Sequence, residues 1–130
     1  GIKNHIFLVD ALALCRNKSR IKLRFVGDGN LMNNIRKRVE ELQLDDIVDF
    51  SGYSFNVSEE YSWADVFVLS SIHEPFGIVI LEAMMSGLPV IGLRRDPPNV
   101  WVANDEIIED GVSGVLLESN TPSGLAKILD

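Results

Sequence analysis

The chain has 130 residues, 46% of them hydrophobic and 24% charged, the proportions of a single globular domain with a core of its own. A formal net charge of −7 leaves no excess of lysine or arginine to displace counterions, so a nucleic-acid backbone is not an expected partner. No run approaches the ~18 apolar residues of a membrane span, no signal peptide is visible, and the single Cys15 lies in an apolar-periodic segment, which suits a reducing, cytoplasmic compartment rather than a disulfide framework.

In chain order, Asn4 is the expected cap of a first helix carrying Ile6, Phe7, Val9, Leu12 and Leu14 at helical spacing. Residues 21–26 alternate apolar and charged, as a half-covered strand does. A Gly27-Asp28-Gly29-Asn30 turn follows, and Asn30 is placed to cap a charged helix reaching Gln43, with Leu31, Ile35, Val39 and Leu42 as its buried stripe. Residues 47–50 read as a short strand, 51–56 as a loop, 58–63 as a helix and 66–69 as a buried strand. Beyond the loop at 70–77 come a helix over 78–85 ended by Gly87 and Pro89, and a strand at 90–91. The expected order closes with an acidic helix over 104–110, a strand at 114–117 and a helix over 121–129 with Thr121 as cap and Pro122 at its first position. Strands alternating with helices at this rhythm indicate an α/β fold, a Rossmann-like parallel sheet with helices on both faces, whose ligands sit at the carboxyl ends of the strands.

The most informative stretch runs from His73 to Gly87. Its helix is apolar on nearly every side, as one wedged against a sheet would be, except for Glu82. A carboxylate is almost never fully buried unpaired, so Glu82 either lies at a wet edge or holds something. The first N–H groups of a helix have no internal partner and, with the helix dipole, form a seat for an anion, which Gly77 would let approach closely. At about 1.5 Å per residue, Glu82 lies roughly 7 to 8 Å along the axis from the Gly77 amide, a reach that suits a pyrophosphate at the helix start and a ribose further along. Glu74, at the mouth of the loop, would bracket a sugar nucleotide from the other end.

This stretch resembles the Glu-x7-Glu motif of the retaining GT-B glycosyltransferases, the glycosyl transferases group 1. The resemblance rests on Glu74 and Glu82 together with Phe76-Gly77, Glu82-Ala83-Met84, Ser86 to Ile91 and the preceding Ala64 to Leu69. It extends over essentially the whole chain, 1–130, as the nucleotide-sugar-binding, carboxyl-terminal half of a two-domain enzyme, here without that half's first strand and last helix. As the resemblance implies, Glu74 meets the hydroxyls of the donor sugar, the amides from Phe76 through Gly77 and Ile78 to Val79 hold the diphosphate, and Glu82 binds the ribose. It also implies a role for Lys3, matched to a lysine that neutralises the leaving diphosphate, although its customary arginine partner is absent from this chain. A lysine that is merely solvated is the other reading.

Three further positions carry two readings each. Gly27 stands where the family turns its chain beside the nucleotide, or is simply a turn residue; as a dinucleotide fingerprint the run is broken by Met32. Gly52 and Tyr53 stand where the family meets the nucleobase, or Tyr53 only packs. The segment 93–105, longer than in the family and without its Gly pair, shapes acceptor choice or contacts a partner through Trp101, or is a plain surface loop. His73 is a weak candidate for a catalytic base, since a loop histidine commonly serves only in hydrogen bonding.

No Asp-x-Asp pair occurs, so metal independence is expected, with no cofactor beyond a nucleoside-diphosphate sugar as donor substrate. The expected catalytic residues are Glu74 and Lys3. The expected partners are the donor, a missing acceptor-binding domain and an acceptor glycan, lipid or small molecule, the missing half being what could bring the enzyme to a membrane surface. On its own this piece should bind donor weakly and turn over little. Two alternatives stand beside transfer: a sugar-nucleotide epimerase of the same architecture, and a non-catalytic nucleotide-sugar-binding module.

Overall fold

The computed structural model describes residues 4–26, 32–52, 57–74 and 77–130. They form two compact units, one containing residues 57–120 and the other residues 5–56 and 121–130.

In the first unit the elements are helix α3 (Val57–Trp63), strands β3 (Phe67–Leu69) and β4 (His73–Glu74), helix α4 (Ile78–Met85), strands β5 (Val90–Gly92) and β6 (Trp101–Val102), helix α5 (Asn104–Ile107) and strand β7 (Gly114–Leu116). Three of the strands make a parallel sheet in the order β3-β5-β7. Its core is Leu69, Ile80, Ala83, Leu88, Val90, Ile108 and Leu116, with Tyr61, Phe67 and Ile107 packed against it. Helix α4 buries only Ile80 and Ala83, while Ile78, Leu81 and Met85 remain exposed. The helix read as apolar on nearly every side and wedged against a sheet does meet the core, through Ile80 and Ala83 with Val79 and Met84 packed beside them; apolar composition alone does not say which stripe makes that contact.

Two strands escaped the sequence reading. The short β4 and β6 pair in parallel, His73 opposite Trp101 and Glu74 opposite Val102, and the ladder is extended by a Trp101 N–H to Ile72 carbonyl bond of 2.8 Å. Asp96 and Val100 close an antiparallel bridge just upstream. The segment 93–105 is thus not a plain surface loop. It supplies the strand that braces the backbone of Glu74.

The expected helix at 104–110 is cut to Asn104–Ile107, since Ile108 is extended and Asp110 bridges to Gly114. Asn104 is fully buried, and its Nδ2 donates to the Leu93 carbonyl at 2.9 Å. It fits because Gly92 has no Cβ; one there would lie 2.7 Å from Nδ2.

The second unit holds helix α1 (His5–Leu14), a 3₁₀ turn over Lys18–Arg20, strand β1 (Leu23–Val26), helix α2 (Met32–Glu41), strand β2 (Val48–Gly52) and helix α6 (Pro122–Leu129). Strands β1 and β2 are parallel, with Arg24 opposite Asp49 and a 2.9 Å ion pair between them. The rings of Phe25 and Phe50 stack at 5.5 Å, and helix α1 lies on α2 and α6. Within the expected stripe of α2, Ile35 and Val39 are buried and Leu42 is half-buried; the capping role read for Asn30, and Leu31, lie outside the described residues. Thr121 caps α6 as read, its Oγ1 accepting the Gly124 N–H at 3.0 Å with Pro122 in the first turn. Asn4 immediately precedes α1 but has φ 57, the left-handed region rather than the extended backbone of a usual cap. Among the described residues each pair of strands is parallel, the α/β, Rossmann-like class expected, and no strand precedes α1.

Candidate functional site

Helix α4 starts at Gly77, whose backbone is left-handed at φ 65, a conformation that costs a residue with a Cβ about 1–2 kcal/mol. Its carbonyl accepts the N–H groups of Ile80 at 3.1 Å and Leu81 at 3.3 Å, closing the first turn. The amides of Ile78 and Val79 precede those bonds and belong to the set a helix cannot satisfy internally. No side chain caps them from the Gly77 position. Ile107 of α5 covers the side of Gly77 where a Cβ would stand, and Gly77 is itself buried, whereas the next residue, Ile78, is 60% exposed.

One turn along from Ile78, Glu82 is exposed and accepts a hydrogen bond from Tyr61 Oη at 3.2 Å. Residues i and i+4 share a helix face, and helical side chains lean toward the amino terminus, so Glu82 stands on the face of Ile78 and leans toward the start of α4. Tyr61 is half-buried on α3 with its ring edge-on to Phe67. Its phenol is pushed up to about 12, first by burial and then by the charge of Glu82 and the hydrogen bond to it. A neutral Tyr61 therefore remains a donor throughout the physiological range. Glu82 thus lies at a wet edge, with Tyr61 as a neighbour that donates to it. Tyr61 was missed because 21 positions separate the pair and no spacing rule connects a helix before a strand with the helix after it.

The structure thus brings Gly77, Ile78, Val79 and Glu82 together on α4, with the backbone of Glu74 in β4 just before the loop. Gly52 ends β2 in the other unit, at φ 72. Lys3, Gly27, Tyr53 and Phe76 lie outside the described residues. His73 is exposed beside Trp101. Among the described residues no group of three or more His, Cys, Asp or Glu side chains could hold a metal ion, and no helix is long and apolar enough to cross a membrane.

The chain is similar to known proteins. The chain is 36% identical over 119 residues to N-acetyl-alpha-D-glucosaminyl L-malate synthase of Bacillus anthracis, covering 92% of this chain and 30% of that protein. It is 32% identical over 110 residues to the lipopolysaccharide core biosynthesis glycosyltransferase LpsE of Rhizobium meliloti, covering 85% and 31%. The crystal structure of Anabaena Alr3699/HepE in complex with UDP superposes with a TM-score of 0.85 at 28% identity, over 98% of this chain and 35% of that one. The chain therefore spans about a third of the length of these relatives, and its fold is that of GT-B glycosyltransferases. The sequence model of glycosyl transferases group 1 matches residues 2–130, so the chain belongs to that family.

Proposed function

We propose that this chain is the donor-binding part of a retaining, metal-independent hexosyltransferase that moves a sugar from a nucleoside-diphosphate sugar to an acceptor hydroxyl. The observation that carries the proposal is the start of α4, where two first-turn amides open at Gly77 and Glu82, steered by Tyr61, stands one turn above them. A diphosphate at that tip meets N–H donors and the positive end of the helix dipole, and the ribose hydroxyls come within reach of Glu82. Support comes also from the related HepE, whose structures hold UDP and UDP-glucose.

In the proposed reaction the acceptor oxygen bonds to the anomeric carbon on the face from which the diphosphate departs, the bond to the β-phosphate oxygen breaks, negative charge develops on the diphosphate, and the hydroxyl proton passes to that departing group. The α4 amides, with Lys3, stabilise that charge, while Glu74 orients the sugar. The acceptor half is contributed from outside this chain, so turnover belongs to the full-length enzyme. Calorimetric titration of the chain with UDP, GDP and ADP tests the donor reading. Saturable binding of at least one is expected, and a folded chain that binds none would overturn it. For the full-length enzyme, proton NMR of the product should show the anomeric configuration of the donor preserved; inversion would sink the retaining assignment.

A further inference from the structure

Two adjacent arginines in the segment 93–105 have different surroundings. Arg94 is built into the fold: its N–H donates to Asn120 Oδ1 at 2.9 Å, its Nε to the Leu117 carbonyl at 3.1 Å and its Nη2 to Asp110 at 3.3 Å. Arg95 is anchored only through its backbone, whose N–H donates to Asp105 Oδ1 at 2.7 Å. Its guanidinium lies 4.3 Å over the ring of Trp101, and among the described residues no carboxylate is paired with it. Trp101 is itself 49% exposed, so part of the indole remains accessible beside the guanidinium.

The location gives these two side chains a use. Trp101 is in parallel register with His73, also exposed, so both project from one face of the β4-β6 ribbon. His73 is one residue, about 3.8 Å of chain, from Glu74. We propose that Arg95 and Trp101 form an acceptor subsite for a sugar ring bearing an anionic substituent, phosphate or carboxylate. This rests on the donor reading, which puts the transferred sugar at Glu74; an acceptor reaching that sugar would extend over His73 toward Trp101. The half-exposed indole beside the guanidinium offers apolar surface to the ring. Contact with the indole holds the guanidinium near the ring, and its N–H donors suit an oxyanion in the bidentate geometry that arginine favours. In a chain of net charge −7, a cation with no carboxylate partner among the described residues, set on an aromatic platform, is a specific feature rather than part of a basic surface.

The test follows the Trp101 indole N–H in proton–nitrogen NMR spectra, assigned with Trp101→Phe, while glucose 6-phosphate, glucuronate, methyl glucoside and inorganic phosphate are added, with and without saturating UDP. The two anionic sugars should shift that signal, UDP should not compete, and the neutral glucoside and inorganic phosphate should each bind more weakly. Arg95→Gln should weaken the anionic sugars about tenfold, the loss of one charge-assisted contact, and Arg95→Lys should fall between. UDP affinity should be unchanged in both variants. No shift with either anionic sugar, an equal shift with methyl glucoside, or undiminished binding by Arg95→Gln would overturn the subsite. Failure of UDP to bind while glucose 6-phosphate still shifts Trp101 would instead overturn the donor reading and leave the Arg95–Trp101 site standing.

Discussion

Gly77 meets two requirements with one missing carbon: its φ of 65 suits glycine, and Ile107 occupies the space a Cβ would need. Gly77→Ala should therefore destabilise the chain by about 2 kcal/mol, read as a lower urea midpoint with an unchanged slope. Since the obstructing atom is the end of a flexible side chain, Ile107→Val should recover part of the loss; no recovery would show that the backbone strain is the whole cost. Glu82 gives the second residue-scale prediction. If it holds the ribose, Glu82→Gln should weaken UDP about tenfold, equivalent to 1.4 kcal/mol, while leaving the affinity for a dideoxyribose analogue of UDP, without either ribose hydroxyl, nearly unchanged. Equal losses for both ligands would mean that Glu82 acts on something other than the ribose.

At the scale of elements, the packing decisions fall on side chains that look unremarkable in sequence. Asn104 joins the start of α5 to the end of β5 by donating to the Leu93 carbonyl, yet its Oδ1 has no partner among the described residues. Asn104→Leu removes the unpaired oxygen but strands the carbonyl, and should cost about 1–3 kcal/mol. Asn104→Asp should be worse, because it loses the same donor and adds a charge at a fully buried position. Chemical denaturation of both variants checks the order; an Asp variant as stable as the parent would rule out this account. In the other unit, Asp130 at the end of α6 accepts the backbone N–H groups of Asn17 and Arg16 beyond α1. The Asn17 bond first, then the Arg16 bond, holds the Asp130 carboxyl below the usual carboxylate range. A depressed carboxyl contributes its stability fully above the unfolded value of about 3.9 and loses it as pH falls through the folded one. Asp130→Ala should thus lower the melting temperature at neutral pH, and the difference from the parent should shrink below about pH 4. A difference that stayed constant into the acid range would place the effect in packing instead.

For the whole molecule, the absence of an Asp-x-Asp pair from the sequence motivates a prediction about metal. In the proposed site the diphosphate is held by helix amides and Lys3, so UDP affinity should be the same in excess EDTA as in millimolar Mg²⁺ or Mn²⁺, measured by calorimetry. A large gain on adding either ion would show that the amides do not suffice. The relatives are about three times as long as this chain, so the proposed transfer is to be assayed at their length and donor binding on this chain as well.

By itself, the sequence determined the alternation of strands and helices, the Thr121 cap, the turn at Gly77 and the placement of Glu82 one helical turn beyond an open helix tip. These are legible because caps, turn residues and hydrophobic periods are local and are written within a few positions of one another. Tertiary structure alone decided which face of α4 is covered, that Tyr61 reaches Glu82, that Asn104 is sealed under Gly92, and that the segment 93–105 returns as a strand beside His73 and Glu74. Each of these joins residues far apart in the chain, and a two-residue strand carries no period of its own. Its identity comes wholly from the partner it meets.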